Sequence, residues 1–425
     1  MTIAINGYFL SRPFTGFGNY TVGLLGGLAK IDRSNRYLVF VPQKVTYKPT
    51  NKRIKIVVLP EKRWLMASVA KFVWEQYQLP KACAKANVDL IHQAYPATAK
   101  FCSIPQIVSI HDATPWHFAE HNYSKKIRAY REFTRKTASR AAHVVTVSNF
   151  AAHDIAKIFG IPKENITVIY NGIDPIFRHK VSGVKAATVL QKYHIKKPYI
   201  FYLGGYEVHK NVRRMFFAYA KAVSEINGNL VLAGGVFSKI RPLVYKDWHE
   251  LPKLIENYKL QNRVQLIGPV ETEDLPALYQ SAALFISPSI AEGFNIPVVE
   301  AFASRVPVVC SNTAGTKEIA QEAAYLFDPT SQVSIERAIL KVLNDSELRR
   351  KLVEAGWRRQ QQFSWDKAAR ELVEVYRNFD QKSIVKEFMG KYRGLGKGRA
   401  TDELIKDRRE EVENEERKFK KFFGR

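Results

Sequence analysis

Cysteine is scarce in this chain, with three in 425 residues, Cys83, Cys102 and Cys310. Their odd number and wide spacing, outside any CxxC or Cys/His cluster, exclude a disulfide framework and a zinc site, and a reducing cytoplasm is the expected setting. Long apolar runs are lacking too. No window reaches the roughly 18 apolar residues that span a bilayer, and the start, MTIAINGYFLSRPF, has neither a basic n-region nor a cleavage site, so neither a secretory signal nor an integral membrane protein is expected. No short repeat recurs, which excludes a solenoid. Acidic residues are few, 40 Asp+Glu against 66 Lys+Arg, a formal net charge of +26. The shortfall is mainly N-terminal: residues 1–180 hold 26 basic and 10 acidic side chains, residues 181–379 hold 26 and 20, and residues 380–425 hold 14 and 10. Such a field attracts nucleic acid, anionic membrane or phosphorylated substrates without choosing among them.

What is present is a composition for globular cores, 46% hydrophobic and 25% charged, at a length that suits two domains. Short β-branched runs alternate with amphipathic stretches: TIAINGYFL, RYLVFVP, IKIVVLP, DLIHQ, QIVSIHD, HVVTVS and ITVIYNG, then PYIFYLGG, LVLAGG, VQLIGPV, ALFISPS, VPVVCSN and AAYLFDP. Strands buried on both faces and separated by helices predict an α/β chain with two doubly wound parallel sheets. The expected organisation is a domain over 1–177, a basic connection over 178–197 carrying a helix around Ala186–Tyr193, a second domain over 198–363, a helix over 364–380 docking back on the first domain, and a charged tail over 381–425.

The strongest motif is ALFISPSIAEGFNIPVVEAFASRVPVVCSN. A strand ends at Ser289, a loop carries Glu292 and Gly293, and a helix starts near Asn295, expected as its cap, with Pro297 in its first turn. The amides of Phe294, Asn295 and Ile296 then face out of a helix N-terminus suited to a phosphate or a sugar hydroxyl, and Glu292 and Glu300 flank that point. This segment resembles the E-x7-E signature of glycosyltransferase family 4, retaining enzymes of the GT-B fold, mannosyltransferase-like members included. The resemblance implies two Rossmann-like domains facing a cleft, donor-sugar contacts from Glu292 and ribose contacts from Glu300.

Further motifs follow the family's order over about residues 1–380. In YLGGYEVHKNVRRMFFAY, Gly204 and Gly205 allow a tight turn and Lys210 supplies a point charge for a diphosphate; Gly205 and His209 stand where the family often has an arginine, and Arg214 is the candidate substitute. Gly268, after VQLI, suits close approach of the nucleobase. In TGFGNYTVGLLGGL, Gly16 and Gly18 form the expected glycine loop ahead of a helix. His111 and Asp112 end a strand, where doubly wound folds bind ligands, and the family has a histidine near the donor sugar there. Ser148 is a helix cap.

The resemblance implies a hexosyltransferase with Glu292, His111 and Lys210 at the reaction centre. Its donor is a nucleotide sugar, GDP-mannose first and a UDP-sugar second; its acceptor is a glycan or lipid-linked hydroxyl. The expected mechanism is retaining, with no metal and no cofactor beyond the donor, and Glu292 positions the sugar rather than acting as a nucleophile. An inverting GT-B enzyme with Asp112 or His111 as base, or an inactive scaffold of that fold, are the alternatives. A nucleic-acid-binding protein explains the charge but not the motifs, and no nucleic acid is expected as partner. SKKIRAYREFTRKTASR, KRWLMASVAKFVW and the terminal RKFKKFFGR predict docking on an anionic membrane from the cytoplasmic side.

Overall fold

The computed structural model describes residues 1–12, 15–62, 64–118, 125–237 and 250–380. The chain divides into two units, Met1–Val373, which holds both sheets, and Glu374–Arg425. The predicted tail over 381–425 and the terminal RKFKKFFGR lie outside the described residues.

Each of the thirteen apolar runs forms a strand: β1 Thr2–Asn6, β2 Arg36–Val41, β3 Ile54–Val58, β4 Leu90–Gln93, β5 Gln106–Ser109, β6 His143–Thr146 and β7 Ile166–Val168, then β8 Tyr199–Leu203, β9 Asn229–Ala233, β10 Val264–Gly268, β11 Leu284–Ser287, β12 Val308–Ser311 and β13 Tyr325–Phe327. The first seven form one sheet in the order β3-β2-β1-β4-β5-β6-β7, the last six another in the order β10-β9-β8-β11-β12-β13. All pairings are parallel. In each sheet the order reverses direction beside its first strand, opening crevices at the carboxyl ends of β1/β4 and β8/β11.

The period-2 rule explains why apolar residues run consecutively in the central strands of the second sheet. In the second sheet Ile200, Tyr202, Leu230, Leu232, Leu284 and Ile286 face a layer of Met215, Phe216, Tyr219, Ile335 and Ile339. Their neighbours Tyr199, Phe201, Val231, Ala233 and Phe285 face Leu278, Tyr279, Val298, Phe302 and Ile319. Both faces are covered, so apolar residues stand at successive positions along these central strands instead of alternating with polar ones.

The helix in the 178–197 region runs Gly183–Lys192 and is capped by Ser182. The helix Gly16–Ile31 carries Gly23 and Gly27 one turn apart, and a Cβ on either would fall 2.0 Å from the Trp365 ring or 2.3 Å from its carbonyl oxygen. Trp365 opens the helix Trp365–Arg377, and Lys30 pairs with Asp366. These two glycines are therefore a groove for an indole.

Candidate active site

Three strand ends of the second sheet are laced together by glycine. Gly204 N–H donates to the Ala233 carbonyl (3.0 Å) and Gly234 N–H to that of Gly268 (2.8 Å), with Gly268 at φ 72°. A Cβ on Gly234 would lie 2.0 Å from the Gly204 oxygen, so the backbones touch there. Gly204 and Gly205 have no positive φ; they supply room, beneath the Tyr202 hydroxyl and the Glu207 carboxylate, rather than a left-handed turn.

The chain next makes a short 3-10 turn, Val208–Lys210, before the helix Val212–Ala222. Asn211, left-handed at φ 57°, is buried, and its Nδ2 donates to the carbonyls of Pro288 (3.0 Å) and Pro329 (2.8 Å), tying this turn to the ends of β11 and β13. Arg214 belongs to the same tether: its Nη1 donates to Asn211 Oδ1 and the Pro329 carbonyl, each 2.9 Å. Its guanidinium is thereby held at Asn211 and Pro329.

The β11 loop meets this turn through Ile290 N–H, which donates to the His209 carbonyl (2.7 Å), and through Lys210 Nζ, 2.5 Å from Glu292 Oε1. Burial opposes the charge on Lys210, but Glu292, Glu207 and Asp112 outweigh it and raise its pKa. Burial likewise opposes the Glu292 carboxylate, and Lys210 and His209 bring its pKa below the usual value. The pair is thus ionised through the neutral range. Asn295 does not cap the helix Ile296–Ala303 with its side chain. It sits at φ 65°, a conformation asparagine tolerates better than most residues, and its Nδ2 donates back to Ser287 Oγ (2.9 Å) and Thr316 Oγ1 (3.3 Å). Glu300, the fifth residue of that helix, is buried and accepts a hydrogen bond from the Tyr279 hydroxyl (3.0 Å). Burial raises its pKa to about 7.

The first sheet contributes from the end of β5. A Cβ on Gly293 would fall 1.9 Å from the His111 carbonyl oxygen and 3.1 Å from Asp112 Cβ, so the loop carrying Glu292 rests on the backbone at His111–Asp112. Burial and the Glu292 carboxylate raise the Asp112 pKa. The His111 ring packs edge-on against Tyr20 (4.4 Å between centroids) and Phe17 (5.2 Å). Burial lowers its pKa to about 4, so the ring is neutral, and a hydrogen bond to the Ala94 backbone opposes that shift. Its Nε2 is buried without a partner among the described residues. Gly16 and Gly18 are not a loop: Thr15 caps the helix at Gly18 N–H (3.2 Å), and Gly16 is its first residue, with open space around the position of a Cβ.

Residues 14–177 match the family described as Glycosyltransferase Family 4 and residues 189–359 the one described as Glycosyl transferases group 1. The O-antigen chain mannosyltransferase B of Escherichia coli is 30% identical over 278 residues, 64% of this chain and 70% of that one. This chain belongs to glycosyltransferase family 4. Sucrose-phosphate synthase from Thermosynechococcus elongatus shares its GT-B fold with a TM-score of 0.71 at 20% identity, over 89% of this chain and 98% of that one. HepE of Anabaena, solved with UDP and glucose, does so with 0.69 at 19%, over 89% and 100%.

In this glycosyltransferase, Lys210, Glu292, Gly293, His111 and Asp112 meet at one place, whereas Glu300 lies along the adjoining helix with Tyr279. Asn211, Tyr279 and Glu318 escaped sequence reasoning. Glu318 accepts from the amides of Asn149 (2.8 Å) and Phe150 (2.9 Å) and from the Tyr170 hydroxyl (2.8 Å), an anion at a helix start. Asn before a helix signals Asn211; nothing local signals Glu318, whose partners lie 148 or more residues away. Among the described residues no group of three or more His, Cys, Asp or Glu is placed to hold a metal ion, and no helix is long and apolar enough to cross a membrane.

Proposed function

We propose that this glycosyltransferase moves mannose from GDP-mannose to a hydroxyl of a glycan or lipid-linked acceptor, with retention and without a metal. The observation that carries the reading is the Lys210–Glu292 pair at the β8/β11 crevice, with Gly293 resting on His111–Asp112. The mannosyltransferase name of the Escherichia coli relative favours the donor.

The donor diphosphate takes over Lys210, a charge-assisted contact that strengthens as the leaving group gains charge. The amides at Phe294, Asn295 and Ile296 add the field of a helix start. Glu292, released from Lys210, accepts hydroxyls of the sugar, and Glu300 accepts those of the ribose. Neutral His111 offers the lone pair of Nε2 to a sugar hydroxyl. The acceptor oxygen attacks the anomeric carbon on the face the diphosphate leaves. The C–O bond to phosphate breaks as the new one forms, and the acceptor proton passes to the departing phosphate oxygen. The test is transfer from GDP-mannose and from UDP-glucose in excess chelator. Undiminished transfer from GDP-mannose supports the reading; loss in chelator, restored by a divalent cation, or use of UDP-glucose alone rejects it.

The acceptor is reached at an anionic membrane surface. Trp64 is 78% and Met66 69% exposed on the segment that leads into the helix Ala67–Val73. That helix packs through Phe72 on Phe133 (5.2 Å) of the basic helix Lys125–Ala138. Cations beside exposed apolar side chains are the composition of an interfacial contact. Co-sedimentation with anionic but not neutral vesicles, weakening with salt, is expected; no binding at low salt contradicts it.

A further inference from the structure

Glu300 is buried, 6% exposed, on a helix whose residues from Val298 to Ala303 are all buried, a costly place for a carboxylate. Among the described residues the hydrogen bond that reaches it comes from Tyr279, whose hydroxyl donates to Oε2 at 3.0 Å. That phenol cannot swing away: its ring is wedged against Phe201 and Phe285, both at 5.2 Å, and Phe177 at 5.8 Å. We propose that Tyr279 is a positioning residue for nucleotide binding, fixing the Glu300 carboxylate so that Oε1 and the remaining lone pair of Oε2 accept the ribose hydroxyls. The proposal rests on the ribose role of Glu300 given above.

A second consequence is electrostatic. Burial and the charge of Asp174, in the turn before Pro175, favour the protonated acid, and the Tyr279 hydrogen bond favours the carboxylate. A protonated Glu300 loses acceptor capacity, so removing the phenol both weakens nucleotide binding and moves the acid side of its pH profile upward.

The experiment is calorimetric titration of the full chain with GDP and UDP from pH 5.5 to 8.5. Tyr279→Phe is expected to weaken the better nucleotide about tenfold at pH 7, the loss of one hydrogen bond to a charged group, and to shift the midpoint of its acid limb upward; Glu300→Ala weakens it further at every pH. If Tyr279→Phe does not fold, 3-fluorotyrosine at position 279, a stronger donor of nearly the same size, is expected to shift the midpoint downward. Unchanged affinity and midpoint in Tyr279→Phe, or an unchanged midpoint with 3-fluorotyrosine, while Glu300→Ala binds weakly, overturns the role of Tyr279 alone. Unchanged binding in Glu300→Ala overturns the ribose reading, and this proposal with it.

Discussion

Gly293→Ala places one methyl group between the two sheets' loops. An added Cβ would stand 1.9 Å from the His111 carbonyl oxygen and 3.0 Å from its carbonyl carbon, both backbone atoms unable to rotate away. Reaching 3.0 Å from the oxygen, the shortest spacing real Cβ atoms show, requires a shift of at least 1.1 Å (3.0 − 1.9). The loop has little freedom to absorb it. Ile290 is bonded to His209, Asn295 to Ser287 and Thr316, and Gly315 is packed so closely on the Glu292 carbonyl that its own Cβ would lie 2.1 Å away. The displacement therefore falls on the contact between Glu292 and the His111 side. A misplacement of about 1 Å at a reacting centre lowers turnover on the order of 100-fold, whereas the overpacking costs about 1–3 kcal/mol of stability. Steady-state transfer kinetics, a melting curve and GDP binding are the assays. The expectation is kcat down on the order of 100-fold, a folded protein, and GDP affinity retained, since Asn211 still ties the Lys210 turn to Pro288 and Pro329 and Glu300 keeps Tyr279. Wild-type kcat with an unchanged melting temperature refutes the contact.

Lys210→Met removes the cation and leaves Glu292 without its ion-pair partner; the barrier to transfer is expected to rise by about 2–4 kcal/mol, and a change under twofold in kcat/KM excludes the diphosphate role. Gly26→Ala, exposed in mid-helix with nothing within 4 Å of the new Cβ, is expected to raise stability by about 0.5–1 kcal/mol without altering kinetics; destabilisation contradicts the open environment. Glu300 has a folded pKa of about 7, above its unfolded value of about 4.5, so the free protein binds that proton more tightly than the unfolded chain and loses stability as pH rises from about 4.5 to 7. Glu300→Gln is expected to abolish that loss, on the order of 2–3 kcal/mol, while weakening nucleotide binding, and parallel melting-versus-pH curves for the two proteins contradict it.

Much of the fold was legible because strands covered on both faces favour consecutive apolar residues, so runs such as YIFYL and LVLA stand out against helical stretches. Of the candidate site, the residues that the structure brings together at Glu292, Gly293 and Lys210 stand in motifs legible in the sequence. The rest was not legible where tertiary bonds override local preference. Asn295 has the residue type of a helix cap, but its backbone is left-handed and its side-chain Nδ2 is turned to donate to Ser287 and Thr316. Gly16 reads as loop and begins a helix because Thr15 caps it. Gly23 and Gly27 look like plain helix glycines until Trp365, more than 330 residues on, fills the space above them. Arg214, a cation one turn from Lys210, is claimed by the Pro329 carbonyl.

The most direct measurement is the anomeric configuration, by proton NMR, of the mannoside formed from GDP-mannose on short free and lipid-linked mannoside acceptors in the presence of chelator. An α-linked product is expected from the wild-type protein and strongly reduced product from Lys210→Met. A β-linked product, or full activity in Lys210→Met, contradicts the proposed function.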